Sequence, residues 1–187
     1  MAFRFQPTRI PEVIGIMTDR HEDQRGLFAE LYKSTEFVQV GIDRRFNQID
    51  YSRSYKNIVR GLHYQLNPMA QAKIVSVIHG RVFDVAVDLR KGAPTYGQWV
   101  ALELSLDGTG MLFIPEGFAH GFCTLSDEAE IIYHCSQVYS KEHERGLCWD
   151  DPAVGIDWPV KSPVLSERDR QHPLLAEAEN NFVYLNV

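Results

Sequence analysis

Two runs of β-branched and apolar residues flank a His-Gly pair near the middle of the chain. Lys73-Ile-Val-Ser-Val-Ile leads into His79-Gly80, and Arg81-Val-Phe-Asp-Val-Ala-Val-Asp-Leu89 leads out. Strand formers on either side of a tight connection predict a hairpin over 73–89. The segments 97–104 and 110–114 repeat the pattern, with Asp107-Gly108 marking the turn between them, and Ile131–Tyr139 is a further strand. Helical periodicity is scarce. Ser34–Val38 predicts one turn, and Ser166-Glu-Arg-Asp169 reads as a capping box opening a short C-terminal helix. No repeat, low-complexity stretch or linker interrupts the chain. Short strands at even spacing, separated by Gly and Asp turns, predict an all-β barrel or sandwich such as a jelly roll, in one domain over 1–187.

Composition narrows the function more than the fold. A chain of 187 residues can enclose a full core and a pocket. A net charge of -6 argues against nucleic-acid binding, which wants a basic face, but a local arginine cluster can still meet a phosphorylated small molecule. Three cysteines, Cys123, Cys135 and Cys148, are an odd number without paired spacing and read as reduced thiols. The N-terminal residues lack an apolar core with a cleavage site, and no segment is long enough to span a bilayer. A cytoplasmic protein without a membrane partner is the expectation.

The candidate chemistry begins with Arg60-Gly-Leu-His-Tyr-Gln65 and Lys73. A histidine can take a proton near neutral pH, and an ammonium can stabilise the oxyanion left behind. Read alone, His63 is equally a rim residue of a strand and Lys73 a solvated strand end. Arg60 and His63 also have opposite parity along a simple strand, so either a bulge intervenes or Arg60 enters from the rim.

Ile114-Pro-Glu-Gly-Phe-Ala-His-Gly-Phe122 contains a Pro-x-Gly-x-x-His core that resembles the second signature of the cupin barrels. Many cupins use this histidine as a metal ligand. Their first signature supplies His-x-His and a downstream Glu, whereas Leu62-His63-Tyr64-Gln65 offers one histidine and no carboxylate. A metal site generally needs three or more protein ligands, so a metal-free barrel is expected.

Taken together, Arg60-Gly-Leu-His-Tyr-Gln65, Phe83-Asp-Val-Ala-Val-Asp-Leu-Arg90, Pro94-Thr-Tyr-Gly-Gln-Trp99, Ile114–Phe122 and Trp149-Asp-Asp-Pro152 resemble the dTDP-4-dehydrorhamnose 3,5-epimerase family. The matches run in order from Asp23-Gln-Arg-Gly26 to Leu165-Ser-Glu-Arg-Asp169, nearly the whole chain. The resemblance implies a double-stranded β-helix (cupin jelly-roll) homodimer that acts without a cofactor on a nucleotide-diphosphate sugar carrying a C4 ketone. It implies His63 as base, Asp169 as the carboxylate that orients it, Lys73 as oxyanion stabiliser helped by His120, and Tyr133 as acid. The bland readings differ: Asp169 at the fourth place of the capping box can cap a helix, and Tyr133 in Ile-Ile-Tyr-His can be core.

The resemblance also implies substrate contacts from Arg25, Phe28, Glu30, Gln48, Asp50, Arg60, Tyr139, Glu144 and Arg168. An arginine fork suits phosphate oxygens, and the pairs Phe28/Glu30 and Gln48/Asp50 each share a strand face by period two. Arg25 in Asp-Gln-Arg-Gly is equally an exposed turn residue. Two positions depart from the family pattern. Asp50 stands where the family usually has asparagine, an acceptor-only group beside an anionic substrate, and Arg168 stands where lysine is common. Three rivals remain at this level: an epimerase that inverts C3 only, a non-catalytic sugar-nucleotide-binding cupin, and a metal-dependent cupin oxygenase or isomerase.

Overall fold

Apolar runs such as 82–87 are longer than a half-buried strand needs because both sheets of this protein are covered on both faces. A computed structural model describes residues 2–108 and 110–185. In chain order the strands are β1 (Phe3–Pro7), β2 (Ile14–Thr18), β3 (Arg20–Asp23), β4 (Gly26–Ala29), β5 (Gln48–Tyr55), β6 (Val59–Gln65), β7 (Lys73–His79), β8 (Arg81–Asp88), β9 (Trp99–Ser105), β10 (Met111–Ile114), β11 (Phe118–Thr124), β12 (Glu128–Cys135) and β13 (Glu144–Gly146). One helical turn, α1 (Ser34–Phe37), falls where the sequence places it, followed by a 3₁₀ turn at Val38–Val40.

The strands build a jelly-roll sandwich. One sheet has the order β1-β2-β10-β7-β12-β5, the other β13-β6-β11-β8-β9, and β3-β4 stand apart as a two-stranded hairpin. Val75, Val77, Ile131, Leu112 and Ile114 of the first sheet meet Val82, Ala86, Val100, Leu104, Phe118 and Phe122 of the second in the inner core. The outer face of the second sheet is covered by C-terminal residues including Val154 and Phe182. Phe37 and Ile42 cover the outer face of the first. All seven residues of β11 are buried, which is why its signature reads as an almost unbroken apolar run.

The strands predicted over 73–89 form, but not as a hairpin. β7 belongs to the first sheet and β8 to the second, so His79-Gly80 carries the chain across the sandwich instead of back along one sheet. Gly80 adopts φ +73°, and a Cβ there would collide with the Glu128 carbonyl and Ser126 Oγ. A tight turn fixes that two strands are adjacent in sequence. It does not fix which edge each one pairs with.

The parity conflict at Arg60 and His63 resolves as a bulge. On β11, His120 faces His63 and Phe122 faces Arg60, so two steps on β11 span three on β6. Gly61 occupies the irregularity at φ +118°, and a Cβ there would lie 2.7 Å from both Gly121 Cα and the His120 carbonyl. Only glycine lets the two backbones approach so closely while turning both polar side chains to one side.

Candidate active site

A cavity of about 300 Å³ opens between the sheets at one end of the sandwich. Period-two alternation aims Gln48, Asp50 and Ser52 of β5, Lys73 of β7, and Tyr133 and Cys135 of β12 into it from the first sheet. His63 and Arg60 of β6 and His120 and Phe122 of β11 enter from the second. Tyr139 and Glu144 close its mouth. A larger cleft of about 580 Å³ beside Arg9 and Trp99 contains none of the sequence-predicted residues.

His63 lies 2.7 Å through Nε2 from Asp169 Oδ1, although the two are 106 positions apart. Asp169 sits in the 3₁₀ turn Asp169–Gln171, where its own N–H donates to Ser166 Oγ at 3.0 Å. The cap predicted at Ser166 therefore exists, but it employs the backbone of Asp169. The carboxylate is left free for His63, so the capping and orienting roles do not compete. In place of a longer helix, only this single turn forms before Pro173. Burial pushes the His63 imidazole below its ordinary value, against the Asp169 carboxylate, so His63 is neutral near pH 7. Burial would raise the Asp169 carboxyl, but the His172 and His63 imidazoles beside it outweigh this and hold it far below the usual carboxylate range.

Across the cavity, the Tyr133 hydroxyl shares a 2.9 Å hydrogen bond with Ser52 Oγ. Burial pushes this phenol up, so it stays protonated at any working pH. Its ring also packs on the inner core, so the core reading of Tyr133 is true of the ring and incomplete for the hydroxyl. Lys73, on β7 beside β12, lines the same cavity. Burial lowers its ammonium, while the Cys135, Asp84, Glu144 and Asp50 side chains favour the charge. His120 is fixed by Asp84, whose two oxygens each lie 3.0 Å from Nε2.

At the mouth, Glu144 accepts from Tyr139 Oη and pairs with Arg168 Nη2, each at 2.6 Å. The strand predicted over 131–139 stops at Cys135, because Asn47 and Ala72 take up the carbonyl and hydroxyl of Ser136. Tyr139 therefore lies on a loop, anchored by its N–H to Gln48 Oε1 at 2.7 Å. Asp50 accepts from Gln48 Nε2 at 2.7 Å, so the change from asparagine is met by a local donor. Arg60 donates through Nε to Ser54 Oγ at 2.9 Å, and Arg168 lines a neighbouring cleft shared with Arg60, His63 and Asp169.

Asp169 and Arg168 reach this cavity only through their contacts with His63 and Glu144, and three further sequence-predicted residues are not brought to it. Arg25, Phe28 and Glu30 lie on or beside the exposed β3–β4 hairpin, where Arg25 pairs with Asp23 at 2.5 Å and Phe28 is 63% exposed. Other residues that complete the site were not singled out by sequence reasoning. A carboxylate inside the apolar run Val82-Phe-Asp-Val was a readable signal, since a buried charge requires a partner, and Asp84 has His120. Ser52 shares a strand face with Gln48 and Asp50. His172, three residues after Asp169 on a helical turn, brings a second imidazole to the dyad. The ligand atoms of His63, Asp169 and His172 lie within 4.8 Å of one another, so a distant segment supplies the carboxylate and second histidine that the local signature lacks. The 2.7 Å contact of His63 with Asp169 is a hydrogen-bond distance and fits a shared proton.

The family described as dTDP-4-dehydrorhamnose 3,5-epimerase matches residues 7–177. A dTDP-4-dehydrorhamnose 3,5-epimerase of Shigella flexneri is 49% identical over 163 residues, covering 87% of this chain and 90% of that protein. A crystal structure of a dTDP-6-deoxy-D-glucose-3,5-epimerase from Legionella pneumophila, in complex with dTDP-4-keto-L-rhamnose, superposes with a TM-score of 0.90 at 42% identity, covering 94% of each chain. A 4-keto-6-deoxy sugar epimerase from the novobiocin gene cluster of Streptomyces spheroides also superposes at 0.90, with 40% identity over 95% of this chain and 89% of that one.

Proposed function

Because this chain belongs to the dTDP-4-dehydrorhamnose 3,5-epimerase family, we propose that it inverts C3 and C5 of dTDP-4-dehydro-6-deoxy-D-glucose to give dTDP-4-dehydro-L-rhamnose. The reaction passes through enolates and uses no cofactor or metal. One observation carries the reading: the His63 imidazole and the Tyr133 phenol face one cavity from opposite sheets, and the Lys73 amine lines the same cavity. Inversion takes a proton from one side of a carbon and returns another to the opposite side.

The C4 ketone makes the hydrogens on C3 and C5 removable. With Nε2–H given to Asp169, the Nδ1 lone pair of His63 takes the proton, and Asp169 stabilises the imidazolium that forms. Lys73 stabilises the enolate oxygen, with His120 held by Asp84 beside it. Tyr133 protonates the opposite face. Arg60 and Arg168 suit the diphosphate, while Gln48, Asp50, Tyr139 and Glu144 position the sugar.

The exposed hairpin bearing Arg25, Phe28 and Glu30 supports a homodimer in which it reaches a second copy's cavity. Ile49, Tyr51 and Tyr55, exposed on the edge strand β5, offer an apolar surface for that contact. All three cysteines are unpaired, and no helix among the described residues is long and apolar enough to cross a membrane. Both fit a cytoplasmic enzyme acting as one domain.

The test is His63→Ala, followed by solvent-deuterium exchange into dTDP-4-dehydro-6-deoxy-D-glucose. Loss of a positioned base costs about 10²–10⁴-fold, with nucleotide binding retained. Near-wild-type exchange in a folded variant transfers the role, with His120 first in line.

A further inference from the structure

We propose that His172 is a positioning residue for this reaction, holding the Asp169 carboxylate so that it presents one fixed acceptor to His63. This rests on His63 being the base. His172 follows the 3₁₀ turn that carries Asp169, and its side chain is only 10% exposed. Its Nε2 lies 3.4 Å from Asp169 Oδ1, the same oxygen that meets His63 at 2.7 Å. The two imidazoles stand nearly perpendicular, at 84° with centroids 5.5 Å apart, so they approach that oxygen from different directions. Among the described residues, Nε2 is buried and makes no regular hydrogen bond, so the 3.4 Å approach to Asp169 Oδ1 is its nearest polar contact with a charged group.

Burial assigns the tautomer. A bare nitrogen lone pair against an ionised carboxylate is repulsive, so Nε2 carries the proton and Nδ1 is left as the acceptor. His172 lines a cleft of about 410 Å³ with Glu144, Arg168 and Gln171 and does not line the substrate cavity. It therefore acts through Asp169 and never meets the sugar. The ring is seated on Gly146, which pairs in register with His63 on β6. A Cβ at Gly146 would fall 2.3 Å from three ring atoms, so this glycine is what lets the imidazole lie against the strand.

The functional consequence follows from sharing one oxygen. A carboxylate with a single partner can rotate away and release the wrong tautomer of that partner. A second donor pins it and draws off part of its charge, which moderates its pull on the His63 proton. The groups facing His63 are Asp169, His172, Lys73 and, at the cavity mouth, Glu144. After burial, Lys73 and His172 both favour neutral His63, against Asp169.

Three variants test this: His172→Phe keeps the ring without its N–H, His172→Gln returns an amide donor, and Gly146→Ala displaces the ring without altering it. The readouts are kcat, KM, the acid limb of the rate profile, melting temperature, and imidazole nitrogen NMR of His63. His172→Phe should lower kcat by about tenfold, less than the roughly 10²-fold attached to a 1 Å misplacement of reacting groups. KM and melting temperature should hold, the acid limb should move to higher pH, and the His63 signal should show mixed tautomers. His172→Gln should recover most of kcat, and Gly146→Ala should lower kcat and move the acid limb as His172→Phe does, with a lower melting temperature from the added clash. A His172→Phe enzyme with wild-type kcat and an unmoved acid limb overturns the proposal, as does a His172→Gln enzyme as impaired as the phenylalanine variant. If His63→Ala abolishes exchange while His172→Phe is unimpaired, only the positioning role falls. If His63→Ala still exchanges, both roles fall together.

Discussion

Replacing Tyr133 by phenylalanine removes one oxygen and keeps the ring that packs on the inner core. The only protein hydrogen bond lost among the described residues is the 2.9 Å contact with Ser52, a half-buried partner that cavity water can satisfy. The stability cost is therefore about 1 kcal/mol, or a fall of about 2–4 °C in Tm for a chain of this size. The chemical cost is larger. Removing a positioned acid costs about 10²–10⁴-fold, which is roughly 3–5 kcal/mol of barrier. His63 remains, so deuterium should still wash into the substrate in D₂O, but the proton returns from the side it left. Exchange should then outrun inversion by the same factor. The assay is that ratio by proton NMR, beside a melting curve. Loss of packing alone predicts the reverse signature, with both rates falling together and a lower Tm. An unchanged ratio would remove Tyr133 from the mechanism and leave Tyr139, bonded to Glu144 at the cavity mouth, as the next candidate.

Asp169→Asn should lower kcat by about 10²-fold or more, because an amide can hold His63 in the wrong tautomer. The Ser166 cap should survive, since it uses the backbone N–H, but the contacts that hold the carboxylate below its usual range are lost, so Tm should fall; wild-type kcat in the folded variant would refute the orienting role. The His63 imidazole is held below its ordinary value of about 6.5, so the base is lost only as pH falls through that lowered value. The acid limb of kcat/KM should accordingly lie below about 6.5, and a limb clearly above it would contradict a buried neutral base. Dialysis against a strong chelator should leave exchange unchanged. Activity lost to chelation and restored by one metal would instead make His63, Asp169 and His172 its ligands.

The architecture and the chemistry were legible to different depths. Strand content was readable because β-branched runs and Gly or Asp turns are local properties, as in 73–89 and 97–114. Partner choice was not, and β7 and β8 went to different sheets because their edges are set by β10, β12, β11 and β9, far away in sequence. The residues on the strands lining the cavity were legible through signatures and alternation. The dyad was legible only through family resemblance, since nothing local relates His63 to a residue 106 positions on. Its third member, His172, carried a weak spacing signal that gains meaning only once the turn holding Asp169 is seen. Arg25, Phe28 and Glu30 show the opposite limit: the resemblance marks them as site residues, and this chain leaves them on or beside an exposed hairpin away from its cavity.

The central claim is tested most directly by counting deuterium in the product. Wild-type protein and dTDP-4-dehydro-6-deoxy-D-glucose are incubated in D₂O, and mass spectrometry with proton NMR locates each label. Label at both C3 and C5, with both centres inverted, is the expected result. Label at C3 alone would identify a C3 epimerase, and no label at either carbon would contradict enolate chemistry in this cavity.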